Sequence, residues 1–503
     1  MNPIDLSSPM RQSSKGILII FAYRLFAFVK KTFIFFIATI FTLLKRESFL
    51  STRPMYVILG VVVLLMVFLL VAVLRFLNFR FFLKNDEFHL KKGILNKETI
   101  ILGKSKIQNI YIKESFLHRL IGVVALKIES AGDKSSEIEI NAIDKPLAIA
   151  LKKHLLESKT LTISSTAEED NLVVEDGVFY RVSLKKLVLE GLTQNHFKSL
   201  MVIFGFFVGL YYENKELVEE YDLETKIADW LHLDDELMAN VILFNLIILV
   251  MGLMISIIVS TVKMIIKNFD LKVVERQKSF EISKGLIQTM SLTLSPERIQ
   301  NIIITTNRIK RYLSLHTLSV KQAMVNEKQT TNFSIVGLDI KSLEHLTKTL
   351  ATDYTEYGPE YRQRPHSFYK RVLAIRYGLI AVLFSVVSIG LLDWYALVFF
   401  GLSAIAVWMC VQKAYQKNYY FFDEAYLTKG SGLIETKTNI MALHKLQSVA
   451  IVQNIFQKRR GLASLKLTTA SQKVTLPYLH KSEADILADF LIYKVESQNK
   501  DWM

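Results

Sequence analysis

The sequence predicts an α+β membrane protein. Three copies of one strand-rich module, each closed by a C-terminal helix, alternate with three transmembrane α-helical hairpins. Three observations carry this. A motif repeats three times at fixed internal spacing, long apolar runs separate the copies, and within each copy apolar residues alternate with polar ones. The motif is Lys106-Ile107-Gln108, then Arg298-Ile299-Gln300, then Lys445-Leu446-Gln447. A glycine stands 15 residues before each glutamine, at Gly93, Gly285 and Gly432, and two aliphatic residues follow each glycine. Aliphatic residues recur 2, 4, 18 and 20 positions after each glutamine, and Arg119, Arg311 or Lys458 stands at position 11. Self-similarity of this period means one structural unit used repeatedly.

The chain has 503 residues, is 51% hydrophobic and has a mean hydropathy of +0.29. That excess lies in runs long enough to span a bilayer. The net charge is +15. In a membrane protein this reads as cytoplasmic lysine and arginine meeting anionic headgroups, not as nucleic-acid binding. Cys410 is the single cysteine, which excludes an internal disulfide and a cysteine-based metal site.

Taken in order, residues 1–30 are an N-terminal tail. Gly16–Val29 reads either as an interfacial helix or as the start of a first span. The first hairpin covers 31–76, with a short run at 32–44 and a full span at 55–74. The first module covers 77–160. Ala125-Leu126-Lys127-Ile128-Glu129 alternates as a half-buried strand, and Asp144-Lys145-Pro146 opens its closing helix. A polar connector, 161–198, has an apolar second half suited to packing on the module or the membrane surface. The second hairpin, 199–262, encloses the loop 213–239, with ten acidic residues against two basic ones. Module two (267–350) closes with a helix opened by Asp339. A linker, 351–371, leads to the third hairpin, 372–412, and the third module spans 415–495. Lysines and arginines flank the module-side ends, so all three modules are expected to face the cytoplasm.

The motif residues have a structural reading. The aliphatic residue fills a core, the glutamine satisfies strand-edge backbone, and the basic residue faces water or headgroups. Gly93, Gly285 and Gly432 suit tight turns between strands. Headgroup contact is assigned to Lys104, Lys113 and Arg119, to Arg308, Lys310 and Arg311, and to Lys458, Arg459 and Arg460. Gly205 and Gly209 form a GxxxG spacing suited to helix packing, and Gly252, Ser256 and Ser260 share that spacing on the next span.

No H-E-x-x-H or Gly-x-Ser-x-Gly occurs, Gly430-x-Gly432 opens no phosphate loop, and the clear spans hold no carboxylate. The expectation is therefore no enzyme, no metal and no cofactor. The remaining readings are a scaffold for protein partners, an anionic-lipid sensor, and a component of a transport or pore complex.

The Gly-aliphatic-aliphatic to Lys/Arg-Ile/Leu-Gln spacing resembles that of the bacterial PH-domain membrane proteins of the YdbS/YdbT type. Two copies add Arg119-Leu120-Ile121-Gly122 and Arg460-Gly461, whereas the second copy has Ser314 in the glycine position, so its turn is expected to differ. The resemblance covers nearly the whole chain. It implies three PH-like partly open barrels, each capped by a C-terminal helix, no catalysis, and residence in the bacterial cytoplasmic (inner) membrane. It also implies partnership with another membrane protein such as a single-module relative. The apolar runs make the bilayer a partner, and the Gly205 and Gly209 spacing also suits pairing with further copies of the same chain.

Overall fold

The computed structural model describes residues 7–32, 54–130, 137–157, 178–196, 200–202, 205, 238–276, 279–294, 296–322, 333–352, 354–355, 358–392 and 395–497. In module one the strands are β1 (Arg80–Lys84), β2 (Glu87–Lys92), β3 (Glu98–Gly103), β4 (Ile107–Ser115), β5 (Val123–Ser130) and β6 (Glu137–Asp144). A connector strand, β7 (Val178–Arg181), follows. Module two holds β8 (Lys272–Arg276), β9 (Ser279–Lys284), β10 (Gln288–Leu294), β11 (Ile299–Thr306), β12 (His316–Gln322) and β13 (Ser334–Leu338). Module three holds β14 (Tyr419–Phe422), β15 (Tyr426–Ser431), β16 (Thr436–Ala442), β17 (Leu446–Val452), β18 (Leu462–Thr469) and β19 (Lys473–His480). The helices are α1 (Gly16–Lys31), α2 (Pro54–Leu77), α3 (Phe116–Ile121), α4 (Lys145–Glu157), α5 (Leu184–Leu192), α6 (Met238–Asn268), α7 (Arg308–Tyr312), α8 (Ile340–Leu350), α9 (Tyr369–Leu392), α10 (Tyr395–Lys417), α11 (Ile455–Lys458) and α12 (Lys481–Ser497).

The chain forms two compact units, residues 1–177 with 274–293 and 324–326, and residues 178–273 with 294–323 and 327–503. In the first unit β1-β2-β3 is an antiparallel sheet, and β4-β5-β6 is another. Their inner faces share one core. Phe81, Phe88, Leu90 and Leu102 come from the first sheet, and Ile110, Leu126, Ile128 and Ile140 from the second. Ala148, Leu151 and Leu155 of α4 close it at helical spacing. Burial of each of these larger side chains is worth about 1.5–3 kcal/mol, so this face holds the module together. In the second unit module three repeats the plan. Tyr420, Leu427 and Met441 meet Leu446, Leu465, Leu467 and Leu476, under Ala484, Ala488 and Leu491 of α12.

Sheets also run from one module to the next. Within the first unit β10 pairs antiparallel with β4. Within the second, β16 pairs antiparallel with β11, giving the order β13-β12-β11-β16-β15-β14. The first sheet of a module thus extends the second sheet of the module before it.

The helices match the expected three hairpins in part. Among the described residues two helical segments are long and apolar enough to cross a membrane, Leu59–Leu77 and Val250–Asn268. Residues 33–53 and most of 199–237, which include the expected hairpin partners, lie outside the described residues. Helices α9 and α10 pack against each other where the third hairpin is expected, with Lys370, Arg371 and Arg376 near the start of one and Lys413 and Lys417 near the end of the other. Helix α1 docks on module one. Ile19 is buried with Val123 and Ala142, and a Cβ added at Gly16 would lie 2.6 Å from the Ala142 Cβ. Phe28 meets Phe68 of α2 edge to face at 5.2 Å.

The connector is less polar in effect than its first half suggests. Tyr180 and Leu187 are buried, and the Tyr180 hydroxyl donates to the Gly337 carbonyl at 2.6 Å. Burial, with Asp339 and Glu190 nearby, pushes its ionisation up, so it stays a neutral donor.

Candidate interaction sites

The repeated motif is a strand-entry device. In each copy a 3-10 turn ends on the basic residue: Lys104–Lys106, Pro296–Arg298, Leu443–Lys445. The next residue starts the strand and points into the core, with Ile107, Ile299 and Leu446 all buried. The glutamine is then the extra residue of a β-bulge. The pairing shifts register between Ile107 and Asn109, between Ile299 and Asn301, and between Leu446 and Ser448. A bulge bends its strand and increases its twist, as a small closing barrel requires. Lys106 is exposed, Arg298 half-buried and Lys445 buried.

The turn glycines are constrained by geometry. Gly93, Gly285 and Gly432 have φ of 114°, 117° and 115°. A Cβ there would fall 1.9, 2.0 and 1.8 Å from the carbonyl oxygen of Asn96, Gln288 or Glu435. No side chain fits. Ser314 corrects the expectation of a different turn. Its φ is 53°, in the same left-handed region as Gly122 (72°) and Gly461 (63°), so the turn is kept and the serine carries the strain.

A second repeated device went unnoticed in the sequence. Seven residues after each glutamine a short polar side chain caps a helix of one turn or so. Ser115 accepts from the His118 amide, Asn307 from Lys310 and Asn454 from Gln457. Each short helix exposes apolar residues beside cations: Phe116 and Leu120 with Arg119, Ile309 and Tyr312 with Arg308 and Arg311, Ile455 and Phe456 with Lys458 and Arg459. The visible signal was an N-cap residue followed by apolar and basic residues at the same offset in all three copies.

The assigned headgroup residues separate into two groups. Arg308, Arg311, Lys458 and Arg459 are exposed. Lys104, Arg119, Arg460 and Lys310 have protein partners, and Lys113 is half-buried. Lys104 pairs with Asp86 at 2.6 Å. Arg119, though exposed, donates to Thr289 Oγ1 at 2.6 Å and to the Leu286 carbonyl at 3.3 Å, holding the β9–β10 hairpin on module one. Arg460 lies over the Phe368 ring, 4.2 Å from its centre. Lys310 is buried, and its Nζ donates to Glu190 Oε1 at 2.5 Å, an oxygen that also accepts from Thr317. Lys310 therefore cannot face headgroups.

Lys113 lines a cavity of about 270 Å³ in the first unit, with Arg24, Arg75, Tyr23, Ser115, His118, Glu139, Asn141 and Gln288. His118 is fixed there. Ser115 Oγ lies 2.5 Å from Nδ1, and Nε2 is 2.8 Å from the Asn141 carbonyl, so the proton sits on Nε2. Arg24, Arg75 and Lys113 against Glu139 give the cavity a positive balance suited to an anion.

Gly209 lies outside the described residues, and no described atom approaches within 4 Å of a Cβ built at Gly205. The small residues of α6 do pack. Ser256 and Ser260 are buried and meet the His196 carbonyl and ring, and Gly191 of α5 lies 2.7 Å, measured from an added Cβ, from the Thr261 Cα. Among the described residues no group of three His, Cys, Asp or Glu side chains could hold a metal ion.

Comparison with known proteins agrees with this geometry. The sequence profile of the bacterial PH domain matches residues 22–159, 230–353 and 371–495. The chain is also similar to the UPF0699 transmembrane protein YdbT of Bacillus subtilis (strain 168). The two are 20% identical over 442 residues, covering 84% of this chain and 87% of the relative. Three profile matches over most of the length, each holding the bulged strand, turn glycine and closing helix described above, make this chain a member of the bacterial PH domain family.

Proposed function

We propose that this protein is a non-enzymatic, polytopic scaffold of the bacterial cytoplasmic membrane that holds its three PH-like modules at the inner leaflet for protein partners. The observation that carries the reading is the use of strand edges as docking surfaces. β4 takes a strand of the following module, and so does β11. Backbone pairing of this kind is a general mode of protein recognition. Three such modules on one chain raise the effective concentration for a repeated partner. The short helices, with apolar tips beside exposed cations, suit contact with the membrane surface.

The test is extraction of the full chain in a mild detergent, with measurement of assembly mass and identification of what accompanies it. The scaffold reading predicts a protein component at fixed stoichiometry. A lone chain without protein components contradicts it.

A second reading, an anionic-lipid sensor, is favoured by the cavity lined by Arg24, Arg75 and Lys113. It predicts headgroup-selective binding of the full chain that survives 0.3 M salt. Loss at about that salt leaves only screened surface charge. A transport or pore role predicts solute flux in proteoliposomes.

A further inference from the structure

The two inter-module pairings share one register. Four residues after the motif glutamine, Ile112 faces Ser291 and Ile304 faces Thr438, and each of those partners lies six residues after its turn glycine. In both cases an isoleucine stands opposite a hydroxyl residue. Among the described residues there are three strands of the β4 type and three of the β3 type, and the two pairings use two of each. β17 is left at the edge of the sheet β17-β18-β19, and β3 at the edge of β1-β2-β3.

Both remaining edges look like uncovered halves of the same joint. In β11, whose edge is covered, Gln300 and Asn301 are each 1% exposed. In β17 the equivalent Gln447 and Ser448 are exposed, and so are Ala450 and Val452. In β3, Glu98 and Thr99 are exposed, and Ile101 is 56% exposed. Long apolar edges of this kind need a partner strand or a protective device, and neither edge carries a proline.

We propose that β17 of one chain pairs antiparallel with β3 of a second copy, in the register the other two joints use. That register sets Ile451 opposite Thr99, giving the isoleucine–hydroxyl pair a third time. It sets Val449 opposite Ile101, as Ile302 stands opposite Ile440. It sets Val452 opposite Glu98. The contact is head to tail, so it closes into a ring or grows as a filament along the membrane.

Disulfide trapping tests this in native membranes, with Cys410→Ser as background and two differently tagged full-length copies co-expressed. Val452→Cys in one copy and Glu98→Cys in the other give a disulfide-linked dimer. Val452→Cys with Thr99→Cys, one residue out of register, points the two thiols to opposite faces and gives at least ~10-fold less adduct. Val452→Glu sets like charges opposite Glu98 and lowers the assembled fraction about two- to fivefold, and adding Glu98→Lys restores it. Absence of intermolecular adduct, equal adduct from the slipped pair, or a disulfide closing within one doubly substituted chain at monomer mass overturns the proposal.

Discussion

Removing the carboxylate of Glu190 should be among the most damaging single changes in the chain. Its partner Lys310 has a side chain only 5% exposed, and Glu190 itself is 1% exposed. The Glu190 Oε1 atom accepts from Lys310 Nζ and from Thr317 Oγ1, both at 2.5 Å. Glu190→Ala leaves an ammonium buried without its counter-charge. Breaking a buried pair from one side costs about 3–5 kcal/mol, far more than the median surface pair is worth. The net worth of the pair is another matter, because both charges were desolvated to make it. Glu190→Leu with Lys310→Met is therefore expected to recover stability to within about 1.5 kcal/mol of wild type. In a unit of this size the single change corresponds to a fall in Tm on the order of 10 °C. Thermal unfolding of wild type, Glu190→Ala and the double variant in one detergent checks this. If Glu190→Ala shifts Tm by less than about 2 °C, or if the double variant is as unstable as the single, the reasoning about the buried pair is wrong.

Other perturbations have equally definite outcomes. Lys429 is held by burial at about 8, below its ordinary value of 10.5, with its Nζ donating to the Thr475 carbonyl. Below pH 8 the fold must carry a buried charge, and the unfolded chain binds the extra proton up to pH 10.5. Stability thus rises with pH across that window, by at most ~3 kcal/mol, and Lys429→Met flattens this slope in pH-dependent unfolding. Ser314→Gly relieves a left-handed non-glycine residue and is expected to raise stability by about 1 kcal/mol, measured as Tm. Gly432→Ala drives a Cβ to 1.8 Å from the Glu435 carbonyl oxygen, and should lower the yield of folded protein where Gly60→Ala, with no described atom within 4 Å, does not. Asn301→Ala removes donations to Thr469 and Ser471 at 2.8 Å each and should cost about 1–3 kcal/mol in unfolding experiments.

The module was legible because its devices are local. Gly93, Gly285 and Gly432 announce turns that exclude a side chain, and Ile107, Ile299 and Leu446 announce a core at fixed offset. Asp339 caps α8 by accepting from the Ser342 amide, as its position before an apolar stripe suggested. What could not be read was long-range. Lys310 looked like a surface cation because its partner Glu190 lies 120 residues away in the connector. Arg119 holds atoms 167 and 170 residues away. The role of Gln108, Gln300 and Gln447 as bulge residues depends on the register of the neighbouring strand, which the pattern of one strand does not contain. The left-handed Ser314 was masked by its identity, since the same backbone is announced only when a glycine occupies it.

The claim that modules are chained through one common strand register can be tested directly. In a Cys410→Ser background, cysteines are placed at Ile112 with Ser291, and separately at Ile304 with Thr438. Residues directly opposite in an antiparallel pair have Cα atoms about 4.5–5.5 Å apart, within disulfide reach. Mild oxidation of native membranes is predicted to close both pairs as intrachain disulfides. Pairs displaced by one residue, Ile112 with Met290 and Ile304 with Asn439, should stay open. Closure of the displaced pairs in preference to the matched ones, or failure of both matched pairs to close, would contradict the account.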